Sequence, residues 1–218
     1  MVQTSDEKLQ LIDSAVLGSG KTLVQIQQLL RDEDEEVRLR AIEWLGEFGS
    51  LGNNAHIYLA MKDRDELVRI AALEIVGQHR MNEMESLTIE SLKDQNASVR
   101  AAAAWALGKL GGEQTISSLI AFFDTDQEGI DQATAVHSLA ELDATKRSEW
   151  VNRLLKMLAA EDYHVRCAVA NLLGEGAIPE YTPFIVAELD AAFSVEGTEA
   201  ARSSIQDAIK HLCSVKNQ

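Results

Sequence analysis

The sequence predicts an all-α protein built as a stack of about six helix pairs, and three observations carry that prediction. Composition is the first: the 218 residues are 46% hydrophobic but hold only 2 Pro and 5% aromatics, and with abundant Ala and Leu this favours helix over strand. The second is an internal repeat. VRLRAIEWLG (37–46), VRIAALEIVG (68–77) and VRAAAAWALG (99–108) begin 31 residues apart, and VRCAVANLLG follows at 165–174. The third is that no stretch alternates apolar and polar residues over the length of a strand.

Taken in chain order, a first helix is expected over 5–17. It is followed by AVLGSGKT (15–22), which has the spacing of a phosphate-binding loop. Such a loop works only between a buried strand and a helix, where its N–H groups wrap a phosphate and Lys and Ser/Thr reach the phosphates and Mg²⁺. No strand precedes Gly18, so the segment reads as a turn, with Ser19 or Thr22 capping the next helix. Helix pairs follow over 22–49, 54–80, 84–111, 115–142, 147–176 and 180–214. The fourth pair carries a degenerate copy, DQATAVHSLA (131–140), which keeps the Ala and Leu positions but lacks Val-Arg and the glycine. The last pair lacks the signature and is expected to cap the stack.

The turns support this division. LLRDEDE (29–35), AMKDRDE (60–66) and SLKDQNA (91–97) recur at the repeat period. Asp34, Asp65, Asn96 and Asp162 each stand three residues before the Val, where a short acceptor caps the free N–H groups of the following helix. Gly46, Gly77, Gly108 and Gly174 fall late in the second helix, where the absence of a side chain lets a neighbour come close. Two helices of this length cannot close a core alone, so the units must stack.

Taking the Val of each Val-Arg as position 0 and advancing 100° per residue, positions 0, +4, +7 and +8 form the core stripe. It comprises Val37, Ala41, Trp44 and Leu45, then Val68, Ala72, Ile75 and Val76, then Val99, Ala103, Ala106 and Leu107, and finally Val165, Val169, Leu172 and Leu173. Arg38, Arg69, Arg100 and Arg166 at +1 project toward a neighbouring unit, where a turn carboxylate can accept from the guanidinium.

Tandem helix pairs with this VRxxAAxALG second helix resemble HEAT repeats, specifically the short bacterial type of the phycobilisome lyases, over residues 22 to 176. The resemblance implies a right-handed α-α superhelix forming a single domain over 1–218, with 1–21 as an N-terminal cap and 177–218 as a C-terminal cap. It also implies that positions −1, +2, +6 and +10 of the second helices line a concave face, and that Asp/Arg ladders hold such stacks in register. Its members include bilin lyase subunits, alkylated-DNA glycosylases and protein-binding scaffolds, so the fold leaves function open.

On that face, Leu39, Ile70 and Trp105 are apolar where solvent would favour polar groups. Glu43 and Glu74 flank them, and His137 is the matching residue of the degenerate unit. Apolar anchors with a charged rim are the composition of a protein-binding hot spot. With 20 Lys+Arg against 35 Asp+Glu, the formal net charge is −15. That charge repels nucleic acid and anionic membranes and attracts a basic partner.

The expectation is therefore a non-catalytic scaffold gripping a basic protein, in the manner of a bacterial immunity protein that neutralises a toxin. A bilin lyase subunit is the alternative, with Cys167, His164 and Trp105 near a tetrapyrrole. No cofactor and no metal are expected. His164 and Cys167 give two ligands and His137 at best a third, while His211 and Cys213 face different sides of a helix. The carboxylates of DEDEE (32–36) read as solvated surface, without the apolar pocket that raises a catalytic pKa. Two cysteines and the absence of a signal-like N-terminus point to the cytoplasm, and no apolar run reaches the ~20 residues of a membrane span. Oligomeric state is left open.

Overall fold

The computed structural model describes residues 4–15, 20–48, 54–123, 129–175 and 178–215, and all its regular elements there are helical. The loop at AVLGSGKT falls largely outside them: Val16 to Ser19 are not described, nor are the side chains of Lys21 and Thr22. A first helix, α1 (Ser5–Asp13), is followed by six pairs. They are α2 (Gly20–Leu29) with α3 (Glu35–Phe48), α4 (Ala55–Met61) with α5 (Glu66–Gln78), and α6 (Glu85–Ser91) with α7 (Ala97–Leu110). Then come α8 (Glu113–Phe123) with α9 (Ile130–Leu142), α10 (Arg147–Lys156) with α11 (Tyr163–Gly174), and α12 (Thr182–Val195) with α13 (Glu199–Val215). Short 3₁₀ turns enter α6 and α12 and close α10.

Why the helices start where they do is visible at their caps. Thr4 opens α1 with a reciprocal box, its hydroxyl accepting from Glu7 N–H while the Glu7 carboxylate accepts from Thr4 N–H. The repeat turns use one device. Asp34 accepts from Glu36 N–H at 3.0 Å, Asp65 from Leu67 at 2.9 Å, Asn96 from Ser98 at 2.8 Å and Asp162 from His164 at 2.8 Å. Each satisfies a donor that the first helical turn leaves without an intrahelical partner.

The chain forms two compact units, Met1–Ala106 and Leu107–Gln218, the boundary falling within α7. In the first, α3 packs on α1, α2 and α5, and α4 packs on α5 and α6. In the second, α9 packs on α8, α10 and α11, while α13 packs on α11 and α12. The core stripe is as the sequence places it: all sixteen residues, Trp44 among them, are buried.

Two further features tie successive repeats together. The Arg38 guanidinium grips Asp63 through Nε and Nη2, both at 2.9 Å, while Nη1 donates to the Asp32 and Glu33 carbonyls at 2.9 and 3.1 Å. Arg69 repeats this on Asp94 (2.9 and 3.0 Å) and on the Asp63 and Arg64 carbonyls. Arg166 repeats it on Glu196 (2.7 and 2.9 Å) and on the Ala160 and Glu161 carbonyls. Arg100 makes the same pair of carbonyl contacts, to Asp94 and Gln95. The Arg38, Arg69 and Arg166 clasps on carboxylates are bidentate and charge-assisted, the strong form of the interaction, and the Arg166 hydrogen bond is the main cause that holds the Glu196 carboxyl down from its ordinary 4.5 to about 2.

The second feature is close approach at glycine. A Cβ on Gly46 would stand 2.6 Å from the Ile75 side chain, and one on Gly77 would stand 2.4 Å from the Trp105 ring. Neither distance is tolerable, so glycine at these places sets how near the next helix comes.

Candidate functional site

Five of the six residues expected to form a binding face belong to the first unit, where α3, α5 and α7 carry them at equivalent positions. Glu43 and Glu74 are exposed; Leu39, Ile70 and Trp105 are half-buried. The half-burial of Trp105 has a specific cause, since its ring edge packs over Gly77.

Between α3 and α5 lies a groove of about 340 Å³ lined by Glu43, Gly46, Glu47, Ala71, Glu74, Ile75, Gln78 and His79. Three carboxylates therefore share one concavity whose floor is the Gly46–Ile75 contact. His79 closes one side, its Nε2–H donating to the Gly46 carbonyl at 3.1 Å. Glu43 is shared with Arg40, which reaches it at 3.4 Å and also binds Asp13 at 2.7 Å. Partial desolvation, and after it the charge of Glu43, raise the Glu74 carboxyl above its ordinary pKa of 4.5. A cation entering the groove relieves that repulsion.

The structure thus brings Glu43 and Glu74 together but leaves Leu39, Ile70 and Trp105 out of the groove lining. Glu47 and Gln78, at position +10 of the same helices, join it. His79 was not foreseen, because it lies beyond the repeat signature, where α5 ends.

His137 is a correction. Its position was read as exposed, but the residue is 2% accessible. It sits in the second unit beside a cavity of about 10 Å³ lined also by Leu172, Leu173, Ile178, Thr182, Ile185 and Leu212, and offers a macromolecular partner no surface. The reason is that α9 is packed on three sides, so residues 131 to 140 are all buried. Burial, opposed by the charges of Glu141 and Glu175 and aided by Lys109, lowers the imidazole pKa and favours the neutral ring.

His164 and Cys167 do not converge on a ligand set. His164 is exposed, its Nδ1 2.9 Å from Asp162 and its ring stacked on Tyr163. Among the described residues no group of three or more His, Cys, Asp or Glu is placed to hold a metal ion. No described helix is long and apolar enough to cross a membrane.

The HEAT-repeat family matches at residues 53–140 and, as a single repeat, at 23–51, together more than half of the chain. The chain is a HEAT-repeat protein. Solved structures give the same architecture. The complex of CpcE and CpcF of phycocyanin lyase from Nostoc sp. PCC7120 is 17% identical, with a TM-score of 0.58 over 97% of this chain and 96% of that one. An archaeal HEAT-like repeats protein from Thermococcus onnurineus NA1 is 16% identical, with a TM-score of 0.51 over 97% and 94%. At such identities the likeness is one of fold. No curated protein matches this HEAT-repeat chain.

Proposed function

We propose that this HEAT-repeat protein is a non-catalytic scaffold that grips a basic protein partner through the α3–α5 face of its first unit. The observation that carries the reading is the groove that gathers Glu43, Glu47 and Glu74 around an apolar floor. It has the size and charge to take a lysine or arginine side chain, with half-buried Leu39 and Ile70 on the same helices and Trp105 on α7 for apolar contact. The net charge of −15 steers a cationic partner toward it. An immunity-type inhibitor of a basic toxin is the form of scaffold that fits this charge best.

The test is a paired capture from lysate of the source cells. Wild type and a Glu43→Lys/Glu74→Lys variant serve as baits, and Trp105→Ala as a third. A basic protein retained by wild type, lost on charge reversal and released faster from Trp105→Ala supports the reading. Identical protein sets on wild type and charge-reversed baits remove this face from consideration.

The bilin alternative rests on the phycocyanin-lyase likeness, which is one of fold. Titration with a bilin, followed by its visible spectrum, decides it: an unshifted spectrum discards the alternative.

A further inference from the structure

The second unit carries a concavity that the proposed scaffold role does not use. Its volume is about 600 Å³, and it lies between the end of α10 with the turn after it and the C-terminal half of α12. One wall is Leu155, Lys156, Leu158 and Ala159; the other is Glu188, Ala191, Ala192 and Val195. Val195 is 83% exposed at its lip, and Phe184, in the first turn of α12 at the other end of the helix, is 44% exposed.

The exposed residues of α12 follow a pattern. Phe184, Ala187, Ala191 and Val195 recur at helical spacing along one stripe, with exposed Glu188 beside them. The stripe reads large, small, small, large, and it reads the same in reverse about its centre. Buried Ile185 and Leu189 already hold α12 to its own unit, so the stripe is surplus to the fold.

We propose that this face pairs with the same face of a second copy of the chain, α12 against α12 in antiparallel order about a two-fold axis. Such an interface must be self-complementary, each residue meeting its counterpart's partner. Antiparallel order places Phe184 of one copy at the Val195 end of the other, where the concavity stands open, and does so twice. Ala187 and Ala191 at the centre let the helices approach closely. The charges match as well. Lys156 is exposed on one wall and Glu188 on the other, and neither has an ion-pair partner among the described salt bridges. The two-fold brings the Lys156 wall of each copy toward the Glu188 wall of the other. Arg166 and Glu196, also in the lining, stay paired within the unit.

The experiment is sedimentation equilibrium at about 0.15 M salt, which screens the repulsion between two acidic copies to within about 8 Å. Wild type is expected to shift from monomer to dimer as concentration rises to about 100 µM. Phe184→Glu and Val195→Lys are each expected to weaken association at least tenfold while leaving the circular dichroism unchanged. Lys156→Glu weakens it, and Lys156→Glu with Glu188→Lys restores it. Wild type that stays monomeric throughout overturns the proposal and reassigns the concavity to a different chain. A dimer indifferent to Phe184→Glu and Val195→Lys overturns it too, by locating the contact elsewhere. The first-unit groove contains none of these residues, so failure here leaves the scaffold reading intact, and the converse holds.

Discussion

α5 and α9 occupy the same place in their repeats, yet the chain treats them in opposite ways. In α5, Arg69 at +1 finds a carboxylate and two carbonyls, while Ile70 and Glu74 at +2 and +6 keep access to solvent. In α9 the +1 residue is Gln132, whose Oε1 is buried with no hydrogen-bond partner in the structure, and +2 and +6 are the fully buried Ala133 and His137. The repeat signature is thus a description of surroundings as much as of a helix. In α9, packed on three sides, the arginine that clasps a turn is gone and the positions of the outer face lose their access to solvent.

The largest effect expected from this contrast is at Arg69. Arg69→Leu leaves the mostly buried Asp94 without its cation, and breaking such a pair from one side costs about 3 kcal/mol. Urea unfolding reads it, and a loss under about 1 kcal/mol would mean that the clasp adds little to the stack. Next comes Gly77→Ala, whose Cβ meets the Trp105 ring and the Ala106 Cα, at about 2 kcal/mol. Gly197→Ala, with nothing within 4 Å, is its control and is expected to stay within about 0.5 kcal/mol of wild type.

Gln132→Leu sharpens the comparison by reversing the sign. It removes a buried acceptor with no partner, so the same position that cannot be changed in α5 is neutral or gains up to about 1 kcal/mol in α9. A melting temperature well below that of wild type would show that the amide is satisfied in solution.

The smallest signal is a pH slope from His137. Its folded pKa is lowered, so below about 6.5 the unfolded chain takes up a proton that the folded chain refuses, and stability falls with acidification. His137→Gln removes that slope between pH 7.5 and 5.5; parallel curves for the two proteins would refute the account. Glu74 titrates with the opposite sign, its raised pKa favouring the folded state on acidification, which is why the difference between variants is the quantity to read.

The helix pairs, the core stripe, the repeat-turn caps and the Arg38 and Arg69 clasps were legible in the sequence, because each is set by local chemistry that repeats. A capping Asp acts on its own helix, and a Val-Arg step fixes which side each residue takes. The Arg166 clasp was legible only in part, since its acceptor is Glu196 rather than a turn Asp. The acidic groove was half-legible: Glu43 and Glu74 share a helical position, but the part of His79 depends on where α5 ends. His137 was misread because aligning a degenerate repeat preserves angular position and says nothing about what stands opposite. Burial of that kind comes from the neighbouring helices, which carry no mark of it in α9 itself.

The arginine clasps also have a direction. Arg38 and Arg69 each reach a carboxylate 25 residues further along the chain, and Arg166 one 30 residues further, while the carbonyls that each also holds lie five and six residues before it. During synthesis, each guanidinium therefore emerges before its carboxylate and waits roughly one repeat for it. Each of these three closures spans a short length of chain, and the α9 repeat, with Gln132 in the arginine's place, leaves a gap in the series.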